Sequence, residues 1–277
     1  MSNYKFTKLQ KGYFAAVYAF LYLPIFMLIV FSFNESKSRN NFSGFTLKWY
    51  AELFSNETVL KALGVTLAVA AVSSVIATVL GTAAAVGIMS MKKLPRIVVM
   101  NITYMPVINP EIVTGVSMLL LFGVLRGILS FFGLEFEMGL GTLIISHITF
   151  CVPYVILSVC PKLRQMDKSL YEAALDLGCS PKQAFFKVVM PQIMPGITSG
   201  FLMALTYSID DFVVSYFTSG TTQNLSIAIY SMTRRRVTPE INALSALMFI
   251  VILTILLVMN WNGLRKEESL RKEARLK

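Results

Sequence analysis

Charged residues are unevenly spaced along this chain, and the gaps between them are the first structural signal. Six stretches run with little or no charge: between Lys11 and Glu35, Lys61 and Lys92, Arg96 and Arg126, Glu137 and Lys162, Lys187 and Tyr216, and Glu240 and Arg265. A helix needs about 20 apolar residues to cross a hydrocarbon core about 30 Å thick, and each gap is long enough. In lipid an open segment satisfies its own backbone only as a helix, so the pattern predicts an all-α polytopic membrane protein with six transmembrane helices. Residues 12–34 follow Lys5, Lys8 and Lys11 without a charge. That run exceeds the apolar core of a cleavable signal peptide, about 7–15 residues, and is read as a retained first span.

Composition agrees with lipid as the solvent. Of 277 residues, 55% are hydrophobic and 14% charged, where a soluble domain carries about 25%. The net charge of +10 would raise nucleic acid as a partner in a soluble protein, but here the basic residues follow membrane topology. With the amino terminus inside, Lys5, Lys8, Lys11, Lys92, Lys93, Arg96, the cluster between 162 and 187 and the residues after 264 are all cytoplasmic. This bias predicts cytoplasmic termini and no nucleic-acid role. Arg234, Arg235 and Arg236 run against it, in the outer loop before the last span; they read as a solvated loop, with an acidic external partner as the other reading. No repeat or low-complexity tract divides the chain, which reads as a single domain over 1–277. Cys151, Cys160 and Cys179, with one histidine in the chain, predict unpaired thiols rather than disulfides or a metal site.

The largest inner loop, 167–192, carries a pattern. Leu170, Ala173, Ala174 and Leu177 recur at helical spacing beside Glu172 and Asp176, which predicts a short amphipathic helix. Gly178 suits its left-handed end, and Ser180 before Pro181 starts a second helix. Glu172, Ala173, Ala174, Gly178 and Pro191 fall in the register of the cytoplasmic signature of bacterial ABC importer permeases, with Val188 and Met190 replacing its Ile and Leu. The chain resembles that family. Residues 146–151, 208–215, 229–232 and 239–244, with Gly44-Phe45-Thr46 and Lys48-Trp49-Tyr50, look like its PotC-type spermidine/putrescine branch. The resemblance implies a type I importer permease (MetI-like) fold in the bacterial inner membrane, and pairing with a PotB-type permease. It also implies two PotA-type ATPase subunits that bind ATP and Mg, and a PotD-type external polyamine-binding protein. In that family the loop from Glu172 through Asp176 to Gly178 couples the permease to ATP hydrolysis.

Three acids fall inside the predicted spans: Glu111 in the third, Asp210 and Asp211 in the fifth. Intramembrane charge is costly and marks function by default. At about 1.5 Å of rise per residue, all three lie about 20 Å from the cytoplasmic side. No lysine or arginine sits in the spans to neutralise them, so a polycationic cargo is expected to, its ammonium groups also stacking on aromatics. Helical spacing groups Asp211 with Tyr207, Ser208 and Ser215, and Asp211 is preferred to Asp210 as the ligand. The competing role for either aspartate is to cap a helix end or serve a broken backbone. Pro106 and Pro110 are expected to kink the third span. His147 reads as a satisfied helix contact, and Ser73, Ser74, Gly81 and Gly87 as close packing.

No Gly-x-x-x-x-Gly-Lys-Ser/Thr loop occurs, so the chain reads as a transport subunit that binds no ATP itself. Alternating access of a polyamine importer is the favoured mechanism. The alternatives are an importer permease for another small solute and a secondary cation transporter.

Overall fold

The computed structural model describes residues 7–36, 41–235 and 239–276. In chain order the helices are α1 (Lys8–Ser32), α2 (Lys48–Ser55), α3 (Glu57–Ser90), α4 (Lys93–Ile108), α5 (Glu111–Phe131), α6 (Leu140–Gln165), α7 (Lys168–Asp176), α8 (Pro181–Ala184), α9 (Met190–Asp210), α10 (Val213–Thr218), α11 (Leu225–Arg235) and α12 (Pro239–Leu276), with a π-helical turn at Phe185–Val189 joining α8 to α9. Among the described residues, six helical runs are long and apolar enough to cross a membrane: α1, α3, α5, α6, Pro181–Asp210 and Pro239–Val258.

Two expected spans are not continuous. The third is broken rather than kinked: α4 stops at Ile108, Asn109 and Pro110 are extended, and Glu111 opens α5. Pro110 disfavours helical backbone at Asn109, which accounts for the stop. Glu111 therefore lies in a first helical turn, not midway along a rod. The fifth ends at Asp210, and α10 and α11 occupy a stretch expected to be a simple outer hairpin. Of the arginine run there, Arg234 lies over the Tyr230 ring, 5.8 Å from its centroid, and Arg236 lies outside the described residues.

The chain groups into two compact units, one built from residues up to Leu60 with Ile229–Asn262, the other from Lys61–Ala228 with the residues from Gly263. In the first, Thr7 and Gln10 cap α1 reciprocally, and the chain beyond α1 is tied around Asn34. The Asn34 side chain donates to the Asn41 carbonyl at 2.9 Å and accepts from the Ser43 N–H at 3.0 Å. Trp49 Nε1 donates to the Asn34 carbonyl at 2.7 Å, and the Ser32 and Tyr50 hydroxyls meet at 2.7 Å. Phe33 stacks on Phe45 beside this knot, so α2 is fastened through buried polar groups that would otherwise be costly.

In the second unit α6 and α9 pack closely, with Cys151, Val155, Val159, Ile193 and Ala204 fully buried between and around them. Small residues permit the approach. A Cβ added at Gly196 would lie 2.9 Å from the Ser158 carbonyl, and one at Gly200 would lie 3.1 Å from Val155 Cα. Gly81 of α3 meets Val155 in the same way, and Ser73 donates to the Ile144 carbonyl at 3.2 Å. The close-packing expectation fits these two positions but not Gly87, which has open space around it.

Gly196→Val should lower stability by about 1–3 kcal/mol through overpacking. Gly123→Ala, at a site with no neighbour within 4 Å, should not. Thermal denaturation of the two purified variants in detergent checks this, and equal melting would refute the packing argument.

Candidate functional site

The recess that gathers the membrane acids is lined by Pro106, Glu111, Thr114, Phe150, Tyr154, Tyr207, Asp211 and Val214. It is built from two helix interruptions and a stacked pair. Pro110 ends α4 and sets Glu111 at the head of α5, while the stop at Asp210 brings Asp211 to the head of α10. Tyr154 of α6 and Tyr207 of α9 stack with ring centroids 4.3 Å apart. Two carboxylates and three aromatic rings thus face one space, and none of its lining residues is basic. Such a surface suits an organic cation, through charge and through the negative faces of the rings.

Asp211 has a second task. Its Oδ2 accepts from the Ser215 N–H at 2.7 Å and its Oδ1 from the Val214 N–H at 3.2 Å, taking up the first amides of α10. Breaking a helix inside a membrane requires such replacement partners. The expectation of a single helical stripe through Tyr207, Ser208, Asp211 and Ser215 is corrected accordingly, because the helix stops in its middle. Ser208 and Ser215 are buried and bond to His147, with Nδ1 to Ser208 Oγ at 2.7 Å and Nε2 to Ser215 Oγ at 3.0 Å. His147 Nε2 also lies 3.6 Å from Asp211 Oδ2. Asn224 donates to Ser215 Oγ at 2.8 Å. His147 is therefore a bonded helix contact, as its burial in an apolar span foretold.

Of the six pathway residues read from the sequence, Glu111, Tyr207 and Asp211 line the recess. Asp210 is exposed at the end of α9, outside that lining. Sequence reasoning missed Phe150, Tyr154 and Thr114. Tyr154 lies one helical turn and three further residues beyond His147 in an apolar span, and only the pairing of α6 with α9 reveals its role.

The inner loop holds both expected helix starts, but the second helix is not short, because it runs on into the fifth span. α7 is capped by Asp167, whose Oδ1 accepts from the Ser169 N–H at 2.9 Å, a bond that holds the carboxyl below its usual range. It ends at Gly178, φ +85°, with Gly178 N–H bonded to the Leu175 carbonyl and Cys179 N–H to the Ala174 carbonyl. This double closure needs a left-handed residue, which glycine supplies without strain. Ser180 and Gln183 cap α8 reciprocally, but α8 runs on through the π-helical turn into α9. The slip of one residue, Met190 N–H to the Phe185 carbonyl, precedes Pro191, which has no N–H to offer. Glu172, Ala173 and Asp176 are exposed, as are the side chains of Leu170, Leu177 and Phe186.

Comparison with known proteins gives consistent matches. Residues 77–264 match the family described as binding-protein-dependent transport system inner membrane component. The chain is 37% identical over 250 residues to the spermidine/putrescine transport system permease protein PotC of Escherichia coli K12, covering 90% of this chain and 91% of that one. It is 39% identical over 233 residues to the putrescine transport system permease protein PotI of the same strain, covering 83% and 82%. Among solved structures, a bacterial ABC transporter involved in import of the acidic polysaccharide alginate superposes with a TM-score of 0.71 at 19% identity, over 91% and 92% of the two chains. That likeness shows the shared permease fold.

Asp211→Ala should cost about 1–3 kcal/mol, since two buried amides lose their acceptor. Asp211→Asn, which keeps one acceptor oxygen, should cost less. Melting of both variants against the parent protein tests the capping role, and indistinguishable melting of Asp211→Ala would remove it.

Proposed function

We infer the function from one premise, that this chain belongs to the family of binding-protein-dependent transport system inner membrane components. It is a multi-pass inner-membrane protein and a transport subunit of an ABC importer rather than an enzyme. We propose that it forms half of the translocation path of an importer for polyamines of the spermidine and putrescine class. The observation that carries this cargo is the recess: Glu111 and Asp211 with Phe150, Tyr154 and Tyr207, and no basic residue among them. An anionic or neutral cargo would leave those carboxylates uncompensated in a low-dielectric site. A flexible diamine or triamine matches both the charge and the ring faces.

The rest of the machine follows the same reading. A PotB-type permease would complete the path, a PotD-type protein would deliver cargo from outside, and two PotA-type subunits would bind ATP and Mg and hydrolyse ATP. The basic-residue bias supports cytoplasmic termini, which place α7 on the ATPase side. There the apolar side chains of Leu170, Leu177 and Phe186, exposed beside Glu172 and Asp176, suit a docking helix. Alternating access then moves cargo inward as the ATPases close and reset.

In proteoliposomes containing the complete complex, spermidine or putrescine with the binding protein should stimulate ATP hydrolysis. Asp211→Asn should reduce the stimulated rate about tenfold or more, as loss of a charged contact does, and Glu172→Lys should abolish coupling without affecting cargo capture by the binding protein. A wild-type complex indifferent to polyamines but stimulated by another solute would overturn the cargo assignment.

A further inference from the structure

His147 is the one imidazole of the chain, it is 1% exposed, and the transport reading gives it no direct contact with cargo. Its two ring nitrogens nevertheless reach both sides of the break at Asp211 and Phe212. Nδ1 meets Ser208 in the last turn of α9, and Nε2 meets Ser215 in α10. From Ser215 the polar chain continues to Asn224, whose Oδ1 accepts from the Ile227 N–H at 2.9 Å at the start of α11. The next residue, Leu225, donates its N–H to Thr66 Oγ1 of α3 at 2.8 Å. Apolar side chains would pack these helices as well, and each buried polar group must find a partner to avoid a penalty. A connected buried network instead specifies one arrangement among several.

What that arrangement fixes is the carboxylate. Asp211 Oδ2 is held by the Ser215 N–H at 2.7 Å and lies 3.6 Å from His147 Nε2. The same side chain lines the recess. Asp211 N–H already bonds to the Tyr207 carbonyl as in a helix, so continuation of α9 past it would carry residues 212–215 elsewhere and withdraw the amides that hold its carboxylate in place. We propose that His147 is the positioning residue of the recess: by bridging Ser208 and Ser215 it keeps α9 ended at Asp210 and Asp211 aimed at the cargo, without touching the cargo itself. The inference rests on the polyamine-import reading for its functional consequence, though not for its geometry.

The test uses the complete reconstituted transporter carrying His147→Leu, His147→Asn and His147→Gln, compared at equal amounts of assembled complex. The glutamine amide reaches where Nε2 lies and restores the Ser215 bridge next to Asp211. The asparagine amide reaches only where Nδ1 lies and restores the bridge to Ser208. His147→Leu and His147→Asn should lower polyamine-stimulated ATP hydrolysis about tenfold, with His147→Gln within about threefold of the parent, a spread typical of coupled contacts. A positioning role further requires that Asp211→Asn added to His147→Leu cause no additional loss, because the carboxylate is already misplaced. A residue that only stabilises the fold would give additive losses and no rescue by glutamine. Electron cryomicroscopy of the His147→Leu complex should show α9 continuing past Asp210. Should that variant not assemble, His147→Asn takes its place in each comparison. An unaltered break, or additive losses, would overturn the proposal. A parent complex that ignores polyamines would refute the cargo reading instead, leaving the helix geometry to decide this one.

Discussion

A helix can stop inside a membrane only where other groups take up the amides and carbonyls it abandons. Here Asp211 meets that constraint at one of the two breaks that flank the same recess. Pro110 ends α4 and puts Glu111 in the first turn of α5, and the stop after Asp210 leaves Asp211 to accept from the first amides of α10. Both acids of the recess are thus at the amino-terminal ends of helices, where the partial positive charge of unpaired amides makes a carboxylate tolerable without a neighbouring cation. Dipoles stabilise a charge without cancelling it. No lysine or arginine lines the recess to pair with its two acids.

The glycines of α9 and the aromatic of α10 assign these helices to different companions. Gly196 and Gly200 bring α9 against Ser158 and Val155 of α6, while Gly115 of α5 meets Phe217 of α10. The break at Asp211 and Phe212 is therefore the joint between two packed pairs. Tyr154 and Tyr207 stack within the first pair, and Glu111 belongs to the second. The recess thus lies between the same two pairs that His147 bridges through Ser208 and Ser215.

Much of this was legible in the chain. Charge-free gaps gave the six crossings, because lipid punishes charge and open backbone together. Gly178 and Ser180 announced the ends of α7 and α8, because left-handed closure and hydroxyl capping are local requirements. What resisted sequence reasoning was non-local. A helical wheel drawn through Ser208, Asp211 and Ser215 assumes a helix that the backbone does not keep, so it grouped as one stripe what the fold divides between the recess and a buried network. Tyr154 and Phe150 look like ordinary span residues until α6 is laid beside α9. Asp211 takes the capping role first set against it as a ligand, with both oxygens accepting from α10, and lines the recess as well.

The inner loop and the recess are the two ends of the same structure. α6 enters the loop at Gln165 and α9 leaves it at Met190, and beyond the loop the two helices approach closely at Gly196 and Gly200. A 21-residue helix is about 30 Å long at 1.5 Å per residue, so α9 spans the distance from the loop to the break at Asp211. The π-helical turn before Pro191 lies where that pair begins and shifts its hydrogen-bond ladder by one residue. The loop and the recess are thus joined by one closely packed helix pair that ends at the Asp211 break, where the first amides of α10 already have another acceptor.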